Sequence, residues 1–159
     1  MATITAPFPV RDPVARPADG LLSVAWLNWF TNLTGDVEAA PARLTTVSLT
    51  AQDASIGTTS FALGALSSGL YRVSWIARVT QAATTSSSLT VTVGFTNGGQ
   101  VCTVSGAAMT GNTVTTVQSE TVLLQIDAST PLTYSTAYSS TGATDMLYGL
   151  WLAVERVAA

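Results

Sequence analysis

Apolar and polar residues alternate with a period of two from residue 44 onward, whereas residues 22–33 repeat at helical spacing, so the chain changes structural type once. The clearest alternating run is LYRVSWIARVT. It sets Tyr71, Val73, Trp75, Ala77 and Val79 on one face and Arg72, Ser74, Ile76 and Arg78 on the other, and the first face belongs to a core. In LTVTVGFT, Leu89, Val91, Val93 and Phe95 alternate with Thr90, Thr92 and Thr96, and Asn97-Gly98-Gly99 then supplies hairpin turn chemistry. Strands are predicted near 44–51, 56–63, 69–80, 88–96, 100–105, 113–126, 131–138 and 146–157. Eight short strands with turn residues between them predict a mainly β domain over 44–159, an antiparallel β-sandwich of jelly-roll type. TTSSS at 84–88 reads as a low-complexity loop.

The last strand, MLYGLWLAVERV, is apolar on both faces. Met146, Tyr148, Leu150, Leu152 and Val154 lie opposite Leu147, Trp151, Ala153 and Val157. Such a strand is central in its sheet or lies at a subunit contact. Arg72, Ile76, Tyr148, Leu150, Trp151 and Leu152 are therefore candidates for a contact between copies of the chain. Arg72 and Arg78 would need carboxylate or carbonyl partners from a neighbour if their face is covered.

Ahead of the strands, GLLSVAWLNWFTNLTG places Leu22, Trp26, Trp29, Phe30 and Leu33 on one stripe. This predicts a short amphipathic helix over 20–34, capped by Asp19 or Ser23 and stopped at Gly35. Burying each large side chain is worth about 1.5–3 kcal/mol. Residues 1–19 hold Pro7, Pro9, Pro13 and Pro17, which neither a helix nor a central strand tolerates, and so form an extended arm. Residues 36–43, broken by Pro41, read as a linker. Two readings of the helix stand: a cover packed on its own sheet, or an anchor that docks on another protein. The anchor reading takes Phe8, Val10, Leu22, Trp26, Trp29, Phe30 and Leu33 as its contact residues, because buried aromatics supply most binding energy.

Composition narrows the chemistry. The 159 residues include no histidine and no lysine, one cysteine and 9% charged residues, against about 25% in ordinary soluble domains. Serine and threonine make up about a quarter of the chain. Without histidine, a Ser-His-Asp triad, a Cys-His pair and the usual zinc sites are excluded. A carboxylate pair of the glycosidase kind is the remaining enzymatic option. Asp53, Glu120, Asp127, Asp145 and Glu155 read instead as solvated residues of loops and strand ends, so no enzyme, metal or cofactor is expected. A calcium loop and a phosphate-binding glycine loop are both missing from the sequence. The net charge of -3 and six scattered arginines argue against nucleic acid. Cys102 reads as a small buried hydrophobe. Asn32-Leu33-Thr34 has the glycosylation pattern but falls in the predicted helix. The N-terminus has no basic leader with an apolar core, and no run reaches the roughly 18 apolar residues of a membrane span, so synthesis in the cytoplasm and no membrane contact are expected.

PADGLLSVAWLNWFTNL and LYGLWLAVERV together resemble small structural proteins of tailed bacteriophages, in which a Pro-rich arm and a W-x-x-W-F segment, here Trp26, Trp29 and Phe30, precede a β-sandwich. Residues 44–159 resemble the trimeric jelly rolls of the tumour-necrosis-factor and C1q type, whose last strand carries an aromatic, a glycine and a hydrophobic run, as Tyr148, Gly149 and Leu150 do. The resemblance implies a homotrimer in the virion, assembled in the host cytoplasm and anchored by residues 1–35 on another virion protein such as a major capsid or tail protein. Head fibre or capsid decoration is the first placement it implies. The alternative is a tail fibre or receptor-binding module holding a host surface glycan through loops 81–88, 97–100 and 139–145 and Tyr134 or Tyr138. No collagen-like or coiled-coil stalk is present, which argues against a long fibre.

Overall fold

The computed structural model describes residues 23, 25–28 and 42–158, in two units, Met1–Ala40 and Pro41–Ala159. Within the first unit, residues 25–28 are helical. The Leu27 N–H donates to the Ser23 carbonyl at 2.9 Å and the Trp26 N–H reaches Ser23 Oγ at 3.5 Å, so Ser23 caps the helix. Phe8, Val10, Leu22, Trp29, Phe30 and Leu33 lie outside the described residues, as do Asp19, Gly35 and the Asn32-Leu33-Thr34 pattern.

The second unit holds eight strands: β1 (Ala42–Gln52), β2 (Thr59–Ser60), β3 (Gly69–Gln81), β4 (Ser86–Asn97), β5 (Gln100–Ser105), β6 (Val117–Ile126), β7 (Thr133–Thr141) and β8 (Leu147–Ala158). They form two four-stranded sheets, ordered β1-β8-β3-β6 and β2-β7-β4-β5. Every pairing is antiparallel. β1 pairs with β8, β2 with β7, β3 with β6 and β4 with β5, as in one long ribbon folded at the β4–β5 hairpin. Rolling that ribbon sets β3 against β8 and β4 against β7, which closes the two sheets into a jelly roll, the predicted class.

The predicted alternation puts the core where it was expected. Tyr71, Val73, Trp75, Ala77 and Val79 of β3 meet Leu89, Val91 and Val93 of β4 between the sheets, joined by Leu124 and Ile126 of β6 and Tyr134 of β7. From β8 only the even residues Tyr148, Leu150, Leu152 and Val154 enter this core, together with Met146 just before the strand. The hairpin at Gly98 and Gly99 has φ of +59° and +73°, the double left-handed turn whose twist matches its flanking strands.

Four local expectations change. β1 begins at Ala42, inside the segment read as a linker. β2 shrinks to two residues because side chains replace part of its ladder: Thr136 Oγ1 accepts the Ile56 N–H at 2.8 Å, and Ser55 Oγ accepts the Tyr138 N–H at 3.0 Å. TTSSS is not a loop throughout, since Ser86, Ser87 and Ser88 open β4 opposite Thr141, Ser140 and Ser139. Buried Ser87 accepts the Gly111 N–H at 2.8 Å, so a hydroxyl fills an inward position without an orphaned group. Residues 113–116 turn instead of extending, held by Thr113 and Thr116 hydroxyls 2.9 Å apart, and β6 starts only at Val117. Cys102 is half-buried on β5, where it stands opposite half-buried Phe95.

Candidate functional site

The pleat of β8 divides the residues expected at a contact between copies. Tyr148, Leu150 and Leu152 are fully buried in the domain's own core, so no second copy can touch them without opening the sandwich. Arg72, Ile76 and Trp151 point the other way, onto the outer face of the β1-β8-β3-β6 sheet. Cross-strand register builds that face in rows. Leu123, Arg72 and Glu155 form one row, Thr121, Ser74 and Ala153 the next, then Ser119, Ile76 and Trp151, and finally Val117, Arg78 and Gly149.

Ile76 and Trp151 lie near the centre of this face beside Ser74, Thr121 and Ser119, and charge lies at both ends, Arg72 with Glu155 at one and exposed Arg78 at the other. Ile76 is 43% exposed, Leu123 59% and Val117 55%, with half-buried Trp151 beside Ile76. Arg72 Nη1 meets Glu155 Oε2 at 3.3 Å, so its partner comes from the same chain and not from a neighbour. Ser74 and Thr121 hydroxyls, 2.9 Å apart, tie β3 to β6 on the same face. Leu123 and Val117 were absent from the sequence candidates, although the alternation of VQSETVLLQI places both outward; the odd positions of β6 were the available signal.

The outer face of the β2-β7-β4-β5 sheet has a different chemistry. Ser86, Ser88, Thr90, Thr92 and Thr96 of β4 lie beside Thr133, Ser135, Ser139 and Thr141 of β7 and Thr103 and Ser105 of β5. None of these is charged, although Val101 of β5, opposite Thr96, is also exposed on this face, at 85%. Hydroxyls pair across strands, Thr92 with Ser105 at 2.8 Å and Ser86 with Thr141 at 2.6 Å.

The tyrosines expected to hold a glycan turn inward. Tyr134 is buried and packs on Phe61 with ring centroids 5.0 Å apart. Half-buried Tyr138 stacks on Tyr148 at 5.8 Å and donates its hydroxyl to the Met146 carbonyl at 2.6 Å. Beneath them runs a polar relay: the Ile56 N–H donates to Thr136 Oγ1, Thr136 meets the Tyr148 hydroxyl at 2.8 Å, and Tyr148 donates to the Ala54 carbonyl at 2.8 Å. Burial pushes the Tyr148 phenol above its ordinary value; the Thr136 hydrogen bond opposes this, and Tyr138 and Asp53 add to it.

Two of the carboxylates have structural tasks that the sequence reading did not give them. Asp127 accepts the N–H groups of Gly98 and Gly99 at 3.1 and 2.8 Å, clamping the hairpin from across the sandwich, and Glu155 holds Arg72. Among the described residues no three His, Cys, Asp or Glu side chains gather as metal ligands. None of the described helical residues belongs to a helix long and apolar enough to cross a membrane.

No protein-family model matches the chain, and no curated protein does. Among solved structures, the chain is similar to one in the structure of infectious bursal disease virus Gt strain, at 17% identity with a TM-score of 0.42. The match covers 73% of this chain and 32% of that one, so this chain spans about a third of that protein's length.

Proposed function

We propose that this chain is a virion structural protein: a homotrimeric head fibre or capsid-decoration protein of a tailed bacteriophage, held on another virion protein by residues 1–35 and without catalytic activity. The observation that carries the reading is the outer face of the β1-β8-β3-β6 sheet, where Trp151, Ile76, Leu123 and Val117 are offered to solvent by a chain with only 9% charged residues. An apolar sheet face in so charge-poor a protein suits coverage by other copies or by a particle surface. Jelly rolls serve in viral capsids and in lectins alike, so the fold agrees with this role without selecting it. The Trp26, Trp29 and Phe30 segment and the Pro-rich arm add the resemblance to phage structural proteins.

Deleting residues 1–35 is expected to abolish association with the particle while the β domain stays folded, as read by particle occupancy and circular dichroism. Normal occupancy of the truncated protein would sink the anchoring role. The alternative, a tail fibre or receptor-binding module for a host glycan, draws support from the uncharged hydroxyl face and loops 81–88, 97–100 and 139–145. It lacks the aromatic platform expected of Tyr134 and Tyr138. Retention on a glycan array would favour it over a purely structural role.

A further inference from the structure

We propose that a cleft at one end of the sandwich, beside Arg156, binds a small carboxylate carried on an apolar body. The cleft has a volume of about 270 Å³ and lies against residues 62–67, with Leu44, Leu63, Leu66 and Tyr71 among its walls and Arg156 lining it as well. Tyr71 donates its hydroxyl to the Ser67 carbonyl at 2.7 Å, which fixes that wall.

Arg156 is the unusual member. Among the described residues its buried Nε has no hydrogen-bond partner, and its one hydrogen bond runs from Nη2 to the Ser68 carbonyl at 3.5 Å, the long limit for such a bond. No described carboxylate pairs with it. Glu155, the adjacent residue, is carried by the pleat to the opposite face, where Arg72 holds it. Arg156 is half-buried with its Nε fully enclosed, and a guanidinium keeps its proton, so an anion is the partner this site lacks; a carboxylate would meet the planar fork with two parallel bonds. The walls are about half apolar, with Leu44, Leu63 and Leu66 beside the polar groups, which suits a ligand with one charged and one apolar end. The cleft is on the scale of a short fatty acid or of a C-terminal aliphatic residue.

This inference does not rest on the virion reading. The full chain would be titrated with hexanoate, hexanol and a short peptide ending in leucine, the peptide as free acid and as amide, with binding read by calorimetry and NMR. Saturable binding of hexanoate is expected, with hexanol at least about tenfold weaker, the loss of one charge-assisted hydrogen bond. Arg156→Met should weaken hexanoate by about tenfold or more. Gly64→Leu, at a position where an added Cβ meets nothing within 4 Å, should block the cleft while leaving Arg156 in place, and it decides the matter if Arg156→Met fails to fold. Binding of the peptide acid but not its amide, without hexanoate binding, would assign the carboxylate to a protein C-terminus. No saturation by either acid, equal binding of hexanol, or undiminished binding by both variants would overturn the proposal.

Discussion

β8 and β4 occupy equivalent places, each an interior strand of its sheet, and both send apolar side chains into the same core. Their outward positions differ completely. β8 turns half-buried Leu147 and Trp151 outward, with Ala153 buried on the same side, where β4 turns Ser88, Thr90 and Thr92. Both strands have neighbours on each edge, so backbone satisfaction does not distinguish them. Side chains on an outward face contribute little to their own fold, and their chemistry therefore reports what the face meets. A Ser/Thr face is satisfied by water and by cross-strand hydroxyl pairs. A face centred on Trp151 and Ile76 gains by being covered.

The largest test charges each face in turn. Ile76→Asp with Trp151→Asp should collapse any self-associated species to the 16.4 kDa chain without unfolding it, whereas Thr90→Asp with Thr92→Asp should leave the assembled mass unchanged. Mass measurement in solution with circular dichroism reads both. An equal response from the two faces would erase the distinction drawn between them.

A smaller effect is expected at the joint that holds the hydroxyl-faced sheet's hairpin to the neighbouring sheet. Asp127→Ala removes the acceptor of two glycine N–H groups and should cost about 1–2 kcal/mol, with faster hydrogen exchange at Gly98 and Gly99 and no change in association. Loss of assembly in this variant would show that the faces are not independent.

The smallest effect concerns the relay between the sheets. Tyr148→Phe should cost about 1 kcal/mol near neutrality. Because burial raises the Tyr148 phenol in the folded chain, the unfolded chain loses that proton first as pH passes about 10. Tyr148 therefore contributes stability that is fully present below about pH 10 and is lost as pH rises toward the folded value. Urea midpoints from pH 8 to 11 should fall less steeply for Tyr148→Phe than for the parent chain.

Much of this could be read in advance, for reasons that particular residues make plain. β3 and β4 alternate without interruption and end at Asn97-Gly98-Gly99, so strand, face and turn follow from local chemistry. The serines that open β4 escaped detection because a hydroxyl at an inward position is tolerable only when a distant partner satisfies it, and Gly111 does so for Ser87. Asp127 lies 28 and 29 residues from the glycines it clamps, and nothing near it in the chain signals that contact. Arg156 likewise looks like any arginine near a strand end until residues 62–67 are folded beside it.

The sequence alone determined that most of the chain is strand, which face of β3 is core, where the central hairpin turns, and that histidine-based catalysis is impossible. Those properties depend on period, turn chemistry and residue type, all of which are local. It could not choose between the two apolar faces of β8, since an alternation of apolar with apolar marks neither side. Tertiary packing made that choice: β3 and β1 fix the register of β8, which commits Tyr148, Leu150 and Leu152 to the interior and leaves Trp151 outside beside Ile76.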